Sequence, residues 1–221
     1  MIELSALQEF AIWFLPVLFA ITVHEAAHGW IAMLLGDLTA YRSGRVTLNP
    51  IKHIDWIGTV VVPGILLITS SGFIFGWAKP VPVNTSLLRS PRWDSALVAL
   101  AGPLSNFIMA FFWAGIGLLG SKWMGPEPKL YGNGMWLYTM GHAGIIINLF
   151  LMILNLIPIP PLDGSRIVAS LLPIPLRFHY LNIERYGFII LITLLISGGL
   201  EYLIDPLYET LFSIFNQIIK A

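Results

Sequence analysis

Near the start of the chain, His24-Glu25-Ala26-Ala27-His28 follows an apolar run, Phe10 to Val23, that carries no charge. On a helix, positions i and i+4 share one face, so both imidazoles can reach one metal ion. A glutamate beside the first imidazole is placed to act on water held there, the donor pattern of a zinc hydrolase. An ionisable group at the centre of a membrane helix costs at least about 2.5–3.5 kcal/mol on insertion scales, which confines such groups to protein interiors and cavities. The competing reading is that the two histidines hydrogen-bond to neighbouring helices. Glu25 has no basic residue nearby in sequence to make a structural ion pair, and metal binding accounts for all three groups.

Zinc hydrolases use three protein ligands and leave the fourth position to water. The chain has no cysteine, and its acidic residues lie mostly at ends and in loops. Asp163 stands apart, at the end of Asn155-Leu-Ile-Pro-Ile-Pro-Pro-Leu-Asp163-Gly164. Pro158, Pro160 and Pro161 cannot continue a helix, and the extended stretch they impose can turn Asp163 back toward a bundle. Its plainer reading is a cap on a short helix, Gly164 to Leu172, which still leaves one carboxylate oxygen for a metal. Hydrolysis of a carbonyl also calls for a donor to the developing oxyanion. Asn155 is the first candidate for this substrate-facing role and Asn148, seven residues earlier on the same helical face, the second; interhelical hydrogen bonding is the alternative for both. Asn106 is the third such amide, and its position three residues past Pro103 also suits it to satisfying carbonyls freed by that proline. His53 and His179 read as interfacial loop residues and His142 as lying near the outer end of its helix, so none is a ligand candidate.

The elements that must carry these groups follow from composition. Of 221 residues, 57% are apolar and 11% charged, against roughly 25% charged in a soluble domain, so the expected fold is an all-α integral membrane protein. Stretches near the roughly 20 residues of a bilayer-spanning helix fall at 10–35, 94–120, 139–157 and 186–204. A fifth, 56–77, is interrupted by Pro63-Gly64, Ser70-Ser71-Gly72 and Gly76 and has basic residues on both flanks. A re-entrant hairpin keeps both flanks on one side; a complete fifth crossing is the alternative. With the hairpin, segments 36–93 and 158–185 hold nine of the twelve Lys and Arg, which orients the chain with four crossings and both termini outside. The Glu3 and Glu9 side chains, with no Lys or Arg in the first ten residues, are the wrong charge for a signal peptide. Residues 41–48 read as a short strand or hairpin, an edge on which an unwound substrate could pair. Residues 205–220, opening with Asp205-Pro206, read as an interfacial amphipathic helix. The chain is expected to form one membrane-embedded domain, 1–221, with a core at 10–172 and a C-terminal part at 186–220. A net charge of zero and no basic stripe exclude nucleic acid as a partner.

An HExxH sequence in a first core helix, joined about 130 residues later by Asn-x-x-Pro-x-Pro-x-x-Asp-Gly, resembles the site-two protease family of intramembrane zinc metalloproteases. Ala101-Gly-Pro-Leu-Ser-Asn106 looks like that family's Gly-Pro-x-x-Asn segment, and Gly44-Arg-Val-Thr-Leu-Asn-Pro50 and Gly76-Trp-Ala-Lys-Pro-Val-Pro-Val83 look like its compact bacterial branch. The resemblance implies a zinc site of His24, His28 and Asp163, Glu25 as catalytic base, and cleavage of membrane-spanning helices near the cytoplasmic side. It also implies a membrane-embedded β element over 41–50, a multi-pass place in a bacterial inner membrane, and as partners the lipid bilayer and a membrane-protein substrate with a transmembrane helix. Two further readings are a membrane zincin of the heat-shock type, with Glu184 or Glu201 as third ligand, and a non-catalytic membrane binding protein.

Overall fold

A computed structural model of the chain describes residues 6–62, 65, 76–124 and 128–220. Among the described residues eight α-helices follow one another: α1 (Ala6–Leu34), α2 (Thr39–Arg42), α3 (Pro91–Trp123), α4 (Pro128–Leu156), α5 (Asp163–Leu171), α6 (Ile174–Leu181), α7 (Glu184–Ile196) and α8 (Gly199–Lys220). Helices α1, α3 and α4 are long and apolar enough to cross a bilayer, which makes the chain a helical membrane protein.

Small residues set how these three pack. Gly120 lies against the backbone of Gly134, and Gly117 against that of Gly141, so α3 and α4 run antiparallel with their backbones nearly touching. Trp113 fills the space that Gly144 leaves open. The first helix lies against both, and its Ile12 is buried in the main core, to which Met152 and Ile153 of α4 also belong. Short helix α5 is fixed at its C-terminal end, where the Arg92 guanidinium donates to the carbonyls of Ser170, Leu171 and Leu172. That contact ties the C-terminal end of α5 to the first turn of α3, while Asp163 at its other end faces α1.

Four expectations need correction or limits. The fourth crossing, 186–204, is broken at Ser197-Gly198, where Gly198 takes φ +74. Helix α7 alone has 13 residues, roughly 20 Å, too short for a bilayer core; it passes as a span only together with α6, across a bend of 58°. Residues 205–220 do not start a separate interfacial helix. Helix α8 begins at Gly199, runs through Pro206, and buries Leu200, Ile204, Phe215 and Ile219 in the main core. These positions are spaced at helical period on one face, so packing carries the helix past a proline that lies on another.

The strand expected over 41–48 is not formed; α2 and a chain of turns stand there. Asp37 Oδ1 accepts from the Thr39 N–H at 2.9 Å and from its hydroxyl at 2.5 Å, which starts a helical turn. Gly44, at φ +64, ends it, and the Arg45 N–H returns to the Ala40 carbonyl. Local turn chemistry thus overrides the β-branched signal. Of the expected re-entrant stretch 56–77, residues 63–64 and 66–75 lie outside the described residues. Its two ends are bonded together: the Trp77 N–H donates to Gly58 O and the Thr59 hydroxyl to Trp77 O.

Candidate metal centre

His24 and His28 lie one turn apart on α1 with their Nε2 atoms 3.0 Å apart and rings nearly perpendicular. Asp163 is the first residue of α5 and follows the N-cap position, which Leu162 holds with no side-chain bond. The Asp163 carboxylate points at α1, with Oδ2 3.2 Å from His24 Nε2 and 3.3 Å from His28 Nε2. Among the described residues this is the group of metal-capable side chains that converges. Glu184 and Glu201, the alternative third ligands, are exposed and outside it.

The residues fit a cation. His28 Nδ1 donates to the Val98 carbonyl at 2.7 Å, so a neutral His28 presents a lone pair at Nε2. That lone pair faces His24 Nε2 and Asp163 Oδ2, and the oxygen is buried with no hydrogen-bond partner. Electron-rich atoms held at 3.0–3.3 Å repel unless a positive species lies between them. A tetrahedral zinc with bonds near 2.0–2.1 Å has ligand atoms roughly 3.3 Å apart, close to the spacing found. Two imidazoles and one carboxylate suit zinc in a catalytic site, with one position open. Burial pushes the Asp163 carboxyl up, but the two facing imidazoles outweigh it and hold the group well below the usual carboxylate range.

The cluster floors a cavity of about 230 Å³ that Glu25, Asn155 and Arg166 also line. Glu25 is fixed by its Oε2, which accepts from the Val81 N–H at 2.7 Å. Val81 belongs to an extended strap, 76–84, without regular secondary structure. The strap is tied down by the Arg45 guanidinium on the Lys79 carbonyl at 2.5 Å, the Lys79 N–H on the His53 carbonyl at 3.0 Å, and the Asn84 N–H on Asp37 Oδ2 at 2.6 Å. Opposite the histidines, α3 brings Gly102 so close that a Cβ there would collide with both rings.

Asn155 lines the cavity, and its amide nitrogen donates one bond, to the Leu151 carbonyl at 3.0 Å. Asn106 and Asn148 do not fit a substrate-facing role: both are fully buried, neither lines the cavity, and each is bonded to other protein groups. Asn106 does not serve the carbonyls freed by Pro103 either; it meets His24, Ala20 and Asn148. His53 is buried rather than exposed, with Nε2 3.0 Å from the Thr47 carbonyl. His142 pairs with Asn216 of α8 at 3.1 Å, and His179 is exposed with Nδ1 on the Pro175 carbonyl. Sequence reasoning missed two cavity groups. Arg166 is readable in hindsight, one helical turn beyond Asp163 and on the same face. The Val81 N–H has a fainter signal: Pro80 and Pro82 lack N–H groups, so Val81 is the lone donor between them.

Comparison with known proteins gives concordant results. The model of peptidase family M50 matches residues 124–197. Over 210 residues the chain is 37% identical to "Putative zinc metalloprotease YwhC" of Bacillus subtilis (strain 168), covering 93% of this chain and 91% of that protein. It is 28% identical over 185 residues to "Putative zinc metalloprotease Rip2" of Mycolicibacterium smegmatis, covering 83% of this chain and 66% of that one. A 75-residue stretch, 34% of either chain, is 36% identical to "Putative zinc metalloprotease MJ0611" of Methanocaldococcus jannaschii. No solved structure matches.

Proposed function

The chain belongs to peptidase family M50, the site-two protease family, and from that premise we propose that it is a zinc endopeptidase that cuts membrane-protein substrates within or next to a transmembrane helix. The observation that carries this reading is the convergence of His24, His28 and Asp163 beside Glu25 on an apolar helix: His24 is the fourteenth residue of the candidate span Ala11–Leu34, roughly 20 Å along it.

His24, His28 and Asp163 hold the ion. Zinc, when bound, supplies a Lewis acid that acidifies water and polarises a scissile carbonyl. Glu25 takes the proton of the attacking water and returns it to the leaving nitrogen. The Val81 N–H holds one oxygen of Glu25 and leaves the other to carry that proton. Asn155 has an amide hydrogen to spare for the oxyanion, and Arg166 at the cavity wall offers a charge to substrate carbonyls. A substrate helix has its carbonyls bonded internally, so it unwinds before a bond reaches the cavity. The basic residues Arg42, Arg45 and Lys52 just beyond α1 favour a cytoplasmic position for that end of the helix, and with it a multi-pass bacterial inner-membrane protein acting in regulated intramembrane proteolysis as one membrane-embedded unit, 1–221.

The test is to incubate the purified protein in lipid nanodiscs with a panel of single-span helices and an unfolded soluble protein, and to locate cuts by mass spectrometry. Cleavage inside or beside a span, stopped by a chelator, restored by zinc and lost by about 10²-fold or more in Glu25→Gln, is expected. Cleavage of the soluble protein alone would overturn the intramembrane reading.

A further inference from the structure

We propose that Asn106, held in one orientation by Asn148 and the Ala20 carbonyl, is the positioning residue that decides which nitrogen of His24 faces the metal; this rests on the zinc reading of the site.

Backbone carbonyls can only accept, and that fixes every amide in the chain of bonds. Asn148 donates from Nδ2 to the Gly144 carbonyl at 2.8 Å, which turns its Oδ1 toward Asn106. Asn106 Nδ2 gives one hydrogen to that oxygen at 2.9 Å and the other to the Ala20 carbonyl at 3.1 Å. With both hydrogens used on known acceptors, the atom that Asn106 presents to His24 Nδ1, 2.6 Å away, is its oxygen. An acceptor there requires Nδ1 to carry the proton, so neutral His24 keeps its lone pair on Nε2, the atom aimed at Asp163 and His28.

Helices α1, α3 and α4 all contribute, and Asn106 and Asn148 are fully buried, so water does not compete for these bonds. His28 reaches the same tautomer without any such device, because its Nδ1 meets a backbone carbonyl directly. The two histidines are therefore unequal: a side-chain substitution can unset His24 but not His28. Neither asparagine lines the cavity, so their effect on the reaction passes through the imidazole.

Two measurements test this. In zinc-loaded wild-type protein with ¹⁵N-labelled histidine, NMR is expected to show His24 bound through Nε2 with a proton on Nδ1; His24 bound through Nδ1 overturns the proposal alone, and wild-type protein that holds no zinc overturns both it and the zinc reading. Chelator competition then gives zinc affinities. Asn106→Leu is expected to weaken binding about 10–100-fold and to remove the fixed Nδ1 proton signature of His24 from the ¹⁵N spectrum while that of His28 stays unchanged. Asn148→Leu should lose less, since the Ala20 carbonyl still orients Asn106, and the double Leu variant should bind no more weakly than Asn106→Leu alone. Wild-type affinity in Asn106→Leu, or additive losses in the double variant, overturns the proposal.

Discussion

Gly102 shows how tightly the centre is built at the scale of single residues. A methyl group there would overlap the rings of His24 and His28, whereas at Gly115, on the same helix, it would meet nothing within 4 Å. Gly102→Ala should therefore lower zinc affinity by about tenfold or more by displacing ligands. Gly115→Ala should leave zinc binding unchanged and stabilise α3 by about 0.5–1 kcal/mol. Chelator competition and thermal unfolding of the two variants check this. The four principal residues were legible in the sequence because i and i+4 on a helix must share a face and because a proline-rich stretch must leave it, so His24, Glu25, His28 and Asp163 carried their geometry with them. Asn106 and Val81 were not legible in the same way. A partner across a helix interface is chosen by packing, and a backbone N–H leaves no mark in composition.

Among the elements, the strap is the part whose position decides where Glu25 points. Asp37 anchors it, accepting from Thr39 and from the Asn84 N–H. Burial pushes the Asp37 carboxyl up, but these hydrogen bonds outweigh it and hold the group below its ordinary value. A carboxylate depressed in the folded state stabilises it fully above the unfolded value, about 3.9, and loses that contribution as pH falls through the folded one. Amide exchange at Asn84 should accordingly be slow and level at neutral pH and quicken relative to intrinsic rates only in acid below about pH 4. Asp37→Leu, which leaves the donors unpaired, should release the strap at neutral pH at a loss of about 1–3 kcal/mol. This anchor also explains the missing strand. Residues 41–48 have strand-like composition, but Asp37 and Gly44 impose a capped turn; the extended segment at the site is the strap, whose prolines leave it few donors for strand pairing.

At the scale of the whole molecule, the three spans were legible because bilayer thickness demands a length of apolar sequence; the bounds of the first two moved by at most three residues, whereas the third begins at Tyr131, eight residues before the expected start. The C-terminal part was not. Asp205-Pro206 has the form of a helix start, yet the stripe Leu200, Ile204, Phe215 and Ile219 continues through it into the core. Phe215→Ala should thus destabilise the protein by about 3–5 kcal/mol, checked by unfolding in detergent; a helix lying on the membrane surface would hardly respond. Core packing of α8 against α3 and α4 and the pinning of α5 by Arg92 together hold α1, α3 and α5 in the register that brings Asp163 to the two histidines. The most direct measurement is the zinc content of purified Asp163→Asn beside that of Glu25→Gln and the wild type. The account predicts about one zinc per chain in the wild type and in Glu25→Gln, and a loss of about 10-fold or more in affinity in Asp163→Asn. Full zinc retention in Asp163→Asn would contradict it.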